Sequence, residues 1–95
     1  MKYLMTYESV DDFLPLAMEH GAGHVARLHE FRARGTLLMA GPLQDPMNGD
    51  AIAVFTSREA AEEFVAGDPF VLGGVVARHS IRPWDEVLVA DTPAT

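Results

Sequence analysis

The order in which two hydrophobic periods follow one another constrains this chain more than any single motif. Lys2 to Glu8 alternates and is rich in β-formers, which predicts a first strand. A helical stretch follows from Asp11 to Arg34, opened by Ser9 three residues ahead of Asp12 in a capping-box-like arrangement. Gly21 and Gly23 lie inside it, and each costs roughly 1 kcal/mol against alanine there. A loosened turn is therefore expected near His20–Gly23, with the firmer helix running from Gly23 to a stop at Gly35.

Thr36 to Ala40 is the second expected strand, ended by Gly41-Pro42, and the Pro-, Asp- and Gly-rich stretch Leu43 to Asp50 is a loop. Ala51 to Phe55 is the third strand. Thr56-Ser57-Arg58-Glu59 is a capping box that opens a second helix, stopped by Gly67. Asp68-Pro69 pairs a capping residue with proline at the first helical position, which predicts one short turn through Leu72. Val75 to Arg82 is the fourth strand. Pro83-Trp84 is expected to turn the chain into a short final strand, Glu86 to Ala90, with a frayed tail over 91–95. The order β-α-β-β-α-β is the split, ferredoxin-like α+β arrangement, expected as one domain over 1–90.

In that arrangement both helices cover one face of an antiparallel sheet, and the other face should turn polar where it meets water. Leu37-Leu38-Met39-Ala40 and Ala51-Ile52-Ala53-Val54-Phe55 do not alternate in that way. A second apolar face needs cover, and a second copy of the chain packed sheet to sheet is the simplest cover. With 95 residues the core of one copy is modest, which favours the same expectation.

The bulk chemistry excludes several function classes. A net charge of −7 repels phosphate backbones and anionic headgroups, so nucleic acid and membrane surfaces are not expected partners. With no cysteine there is no thiol nucleophile, no disulfide and no Cys-based metal site. The apolar runs are far shorter than the roughly 20 residues of a membrane span, and the amino-terminal stretch reads as a strand and not as a signal peptide. The cytoplasm is the expected location.

Of 4 histidines, one is aimed at the sheet. With Leu28 as the centre of the buried stripe, His24 falls about 40° away, His20 at the margin, and His29 sideways into water. An inward imidazole needs a partner for its ring N–H, and a backbone carbonyl would satisfy it without any function. His20 and His24 have a spacing that can share a metal, but glycine interrupts the helix between them and no third ligand is evident. Asp68 is the second candidate. As a cap it has a structural job already, yet an aspartate accepting from an imidazole N–H fixes the tautomer and raises its basicity. Gly41-Pro42 could border a pocket beside such a pair, with backbone amides left free, and Arg27, near the helix margin, could assist with an anionic group.

These residues together resemble the YciI-like, or YCII-related, family. The resemblance is carried by His24-Val25-Ala26-Arg27-Leu28, Gly35 through Leu43, Ser57 to Ala61, Asp68-Pro69-Phe70 and Ile81-Arg82-Pro83-Trp84, in order over most of the chain. It implies a ferredoxin-like homodimer related to the dimeric α+β barrels. It also implies an active site built on a His and an Asp, which map onto His24 and Asp68. Arg27, Met39, Gly41, Pro42 and Phe70 are the residues expected to bind substrate beside that pair. Most of the family has no assigned substrate, and some relatives are linked to dehydrochlorination or similar proton transfer on small ring compounds. Two positions depart from the family pattern. An arginine common three residues before the histidine is Gly21 here, and an often polar residue before Ala40 is Met39.

The expected function is proton transfer by a His24–Asp68 pair on a small ring compound, as a lyase, isomerase or dehydrochlorinase, without metal or organic cofactor. The alternatives are a dimeric module that binds a small ligand unchanged, and a structural dimer in which His24 is a satisfied core residue.

Overall fold

The computed structural model describes residues 1–90. Its elements are β1 (Lys2–Ser9), α1 (Phe13–Ala33), β2 (Leu37–Pro42), β3 (Ala51–Phe55), α2 (Arg58–Gly67), α3 (Pro69–Leu72) and β4 (Val76–Trp84). The strands form one sheet in the order β2-β3-β1-β4, every neighbouring pair antiparallel. This is the ferredoxin-like α+β fold. The tail expected over 91–95 lies outside the described residues.

One phase of each strand faces the helices. Tyr3, Met5 and Tyr7 of β1 are in register with Phe55, Ala53 and Ala51 of β3, and Met5 also with Ile81 of β4. Met5, Tyr7, Ala53 and Phe55 are buried against Phe31 of α1 and Ala61 and Phe64 of α2. Phe64 stands edge-on to Phe31 at 5.2 Å, so three aromatic rings from three elements meet at the centre of the core.

Several local expectations are corrected. The helix does not break at His20–Gly23: α1 is continuous from Phe13 to Ala33. A β-carbon on Gly23 would lie 3.1 Å from Cγ of Pro69, so this position lets α1 approach α3, and that packing offsets the low helix propensity of glycine. Ser9 is not a helix cap. Its hydroxyl donates to the Gly49 carbonyl at 2.6 Å, and its N–H donates to Asp50 at 3.1 Å, which ties the end of β1 to the loop before β3. Pro83-Trp84 does not turn the chain but continues β4, in register with Tyr3 and Lys2. β4 is an edge strand, where a missing N–H can face solvent. The expected final strand is absent: residues 85–90 pair with no strand among the described residues, and Glu86 is held instead by the Met1 amino group at 3.0 Å.

The second sheet face is apolar on one half only. Met39, Val54 and Leu4 line up across β2, β3 and β1, beside Ile52. On β4 the same face carries Arg78, Ser80 and Arg82, in register with Glu8, Thr6 and Leu4.

Candidate active site

A cavity of about 300 Å³ opens between α1 and the β2–β3–β1 side of the sheet. His24 lines it from α1, Tyr7 from β1, Gly41 and Pro42 from β2, and Phe70 from α3. The site is assembled by three local decisions of the sequence. The helical period carries His24 to the inner side of α1. Strand alternation turns Tyr7 inward, in phase with Met5. Pro69 fixes the start of α3, so Asp68 sits in the extended corner where α2 ends and α3 begins.

Asp68 is wholly buried, and both its carboxyl oxygens are used. Oδ1 accepts from the Phe70 N–H at 3.1 Å, which is the cap the sequence announced. The same oxygen meets Nδ1 of His24 at 2.8 Å, and Oδ2 accepts from the Tyr7 hydroxyl at 2.8 Å. Capping and pairing with histidine are therefore not rival roles: one carboxylate does both. An ionised carboxylate can only accept, so the hydrogen of this contact lies on Nδ1, and in the neutral ring Nε2 is left to carry the lone pair. Nε2 has no hydrogen-bond partner among the described residues.

The imidazole plane is fixed as well. Phe70 stacks on it at 3.8 Å and 7°, and Phe64 stands edge-on at 6.3 Å. The His24 side chain keeps 16 % of its surface, enough for one ring edge to be reached. Burial, and then the charge of Asp68, raise the Tyr7 phenol far above its ordinary value, so it remains a donor. Tyr7 is the site residue that sequence reasoning missed. Its inward phase was visible, and a buried phenol requires a partner, but nothing local names Asp68 as that partner.

Two expected site residues are not brought to the cavity. Arg27 turns to α2, where Nε donates to the Phe64 carbonyl at 3.0 Å and an Nη donates to the Glu63 carbonyl at 2.7 Å. Its guanidinium also lies over the Phe31 ring at 4.8 Å. No basic residue of α2 occupies its own last turn, so Arg27 supplies that cation from α1. Gly67 makes room, since a β-carbon there would lie 2.6 Å from the guanidinium. Met39 faces away because β2 shifts register between Leu37 and Met39. Leu37 pairs with Phe55 on the inner face, but Met39 pairs with Val54 on the outer one and is 66 % exposed. Gly41-Pro42 does not leave a turn of free amides either: both residues extend β2, in register with Ile52 and Ala51. His20 packs its ring over Gly73, and no cluster of three metal-ligating side chains occurs among the described residues.

The YCII-related domain matches residues 1–85. The chain belongs to this family. The YCII-related protein YciI of Escherichia coli is 32 % identical to it, over 92 % of this chain and 99 % of the relative. An uncharacterized protein of Haemophilus influenzae is 30 % identical over the same shares. Among solved structures, 5-chloro-2-hydroxyhydroquinone dehydrochlorinase of Burkholderia phenoliruptrix, in complex with 2,5-dihydroxybenzoquinone, superposes with a TM-score of 0.73. That match covers 90 % of this chain and 94 % of the other at 21 % identity, and it shows that the YCII-related fold is shared with an enzyme. No helix among the described residues is long and apolar enough to cross a membrane.

Proposed function

We propose that this protein is an enzyme that transfers a proton on a small ring compound, with His24 as the general acid–base and Asp68 as the group that orients it. The observation that carries this reading is the 2.8 Å contact between His24 Nδ1 and a fully buried Asp68, at the wall of a cavity large enough for one ring. A neutral imidazole held in this tautomer presents Nε2 as a base. It accepts a proton from a ring hydroxyl or carbon, and the carboxylate stabilises the imidazolium that forms. Returning the proton elsewhere on the ring gives an isomerisation. Expelling chloride as the ring electrons shift gives a dehydrochlorination, the reaction named for the structurally similar Burkholderia enzyme. Phe70 and Tyr7 move no proton: the first holds the imidazole plane and the second holds the carboxylate.

The reading includes a homodimer packed through the apolar half of the second sheet face. Met39 at 66 % exposure and Ile52 at 36 % favour it. Sedimentation of wild type and of Ile52→Asp tests that part, with a dimer expected only for the former.

The catalytic part is tested by turnover on hydroxylated and chlorinated single rings, read as chloride release and as deuterium uptake from solvent. His24→Ala is expected to lose about 10²–10⁴-fold in rate. Equal rates in wild type and variant would sink the catalytic role.

A further inference from the structure

We propose that the cavity beside His24 selects uncharged monocyclic compounds and turns away carboxylates and phosphates, an inference that rests on the His24–Asp68 reading and gives its substrate a charge. An anion taken from water into a protein wall needs either a counter-charge or several hydrogen-bond donors. The cavity offers neither. Among the described residues that line it there is no lysine, arginine, aspartate or glutamate. Three side chains supply its polarity: Tyr7, Ser9 and His24. Two of these have already spent their hydrogens. The Tyr7 hydroxyl donates to Asp68 and the Ser9 hydroxyl donates to the Gly49 carbonyl. His24 spends its Nδ1 hydrogen on Asp68 as well, which leaves a lone pair at Nε2 and no donor while the ring is neutral.

The cation that could have reversed this is withdrawn. Arg27 is committed to two carbonyls of α2 and to the faces of Phe31 and Phe64. Behind the imidazole lies the Asp68 carboxylate, and the chain as a whole carries −7. Both fields oppose an approaching anion. A neutral ring with a hydroxyl meets none of these obstacles. Its faces replace water on Pro42, Met5 and Leu28, and its O–H donates to Nε2.

The test uses two probes of nearly equal shape, 4-hydroxyacetophenone and 4-hydroxybenzoate, at a pH where the first is neutral and the second is a carboxylate. Each is titrated into the intact protein and followed by amide and side-chain NMR shifts. The ketone is expected to shift cavity residues saturably and to bind at least tenfold more tightly than the carboxylate. Val25, at the mouth and half exposed, can carry a test charge, and Val25→Arg is expected to bring the two affinities within about threefold of each other. The proposal is overturned if wild type binds the carboxylate as well as the ketone, if the ketone gives no saturable shift at the cavity, or if Val25→Arg leaves the selectivity unchanged. Failure of the His24–Asp68 reading is seen separately, as undiminished turnover in His24→Ala, whichever probe binds better.

Discussion

The Tyr7 hydroxyl and Oδ2 of Asp68 lie 2.8 Å apart, although 61 residues separate them in the chain. β1 supplies the donor and the α2–α3 corner supplies the acceptor, so the pair fastens the sheet to the helical layer directly beneath the imidazole. This bond also keeps a fully buried carboxylate satisfied on both of its oxygens, a condition for its burial to be tolerated.

Tyr7→Phe keeps the ring and removes the bond. Chemical denaturation should show a loss of about 1–3 kcal/mol, because a buried charged acceptor is left one donor short. The variant should also differ in alkali. The folded chain holds the phenol proton well above the ordinary value of 10.0, at which the unfolded chain releases it. The unfolded state then binds fewer protons than the folded state. Tyr7 therefore contributes its full stability below that value and loses it progressively as pH rises beyond it. Denaturation between about pH 8 and pH 11 checks the sign: wild type should weaken more steeply than Tyr7→Phe, and parallel curves would contradict it.

Asp68→Asn removes the charge that stabilises the imidazolium and permits the other tautomer. Turnover should fall about 10³-fold or more, with a smaller rise in KM than fall in kcat, since the ring cavity is not itself altered. A change confined to KM would assign Asp68 to substrate binding.

Phe70→Leu keeps an apolar side chain and removes the ring stacked on His24 at 3.8 Å. The imidazole should gain freedom, and turnover should drop about 10- to 100-fold, with thermal stability changing far less than activity does. Unchanged turnover would show that the Asp68 bond alone fixes the ring.

How much of this was legible follows the range of the interactions. Asp68-Pro69, the Ser57 cap and β3 depend on neighbours in sequence, and they appear where the residues put them. The direction of His24 follows from helical period alone. Tyr7–Asp68, the outward turn of Met39 and the commitment of Arg27 to α2 depend on pairings across the fold. A one-residue register shift in β2 inverts the face of Met39 and leaves no trace in its composition. Glu86 to Ala90 shows the reverse case: its β-formers suit a strand, but no strand among the described residues lies beside it to complete a ladder.

Arg27→Met should cost about 1–2 kcal/mol by leaving the carbonyls at the end of α2 without their cation. Gly67→Ala should cost a similar amount, because the added methyl displaces the same guanidinium. Combined, the two should cost clearly less than their sum, since each removes one shared interaction. Additive losses in urea titrations would show that Gly67 is needed for another reason.

The central claim is that Asp68 holds the hydrogen of His24 at Nδ1 and leaves Nε2 as the base. Long-range ¹H–¹⁵N correlation of the His24 ring, at a pH where it is neutral, reads this directly. A pyrrole-like Nδ1 and a pyridine-like Nε2 are expected in wild type, with loss of that preference in Asp68→Asn. A protonated Nε2 with an unprotonated Nδ1 in the wild-type protein would contradict it.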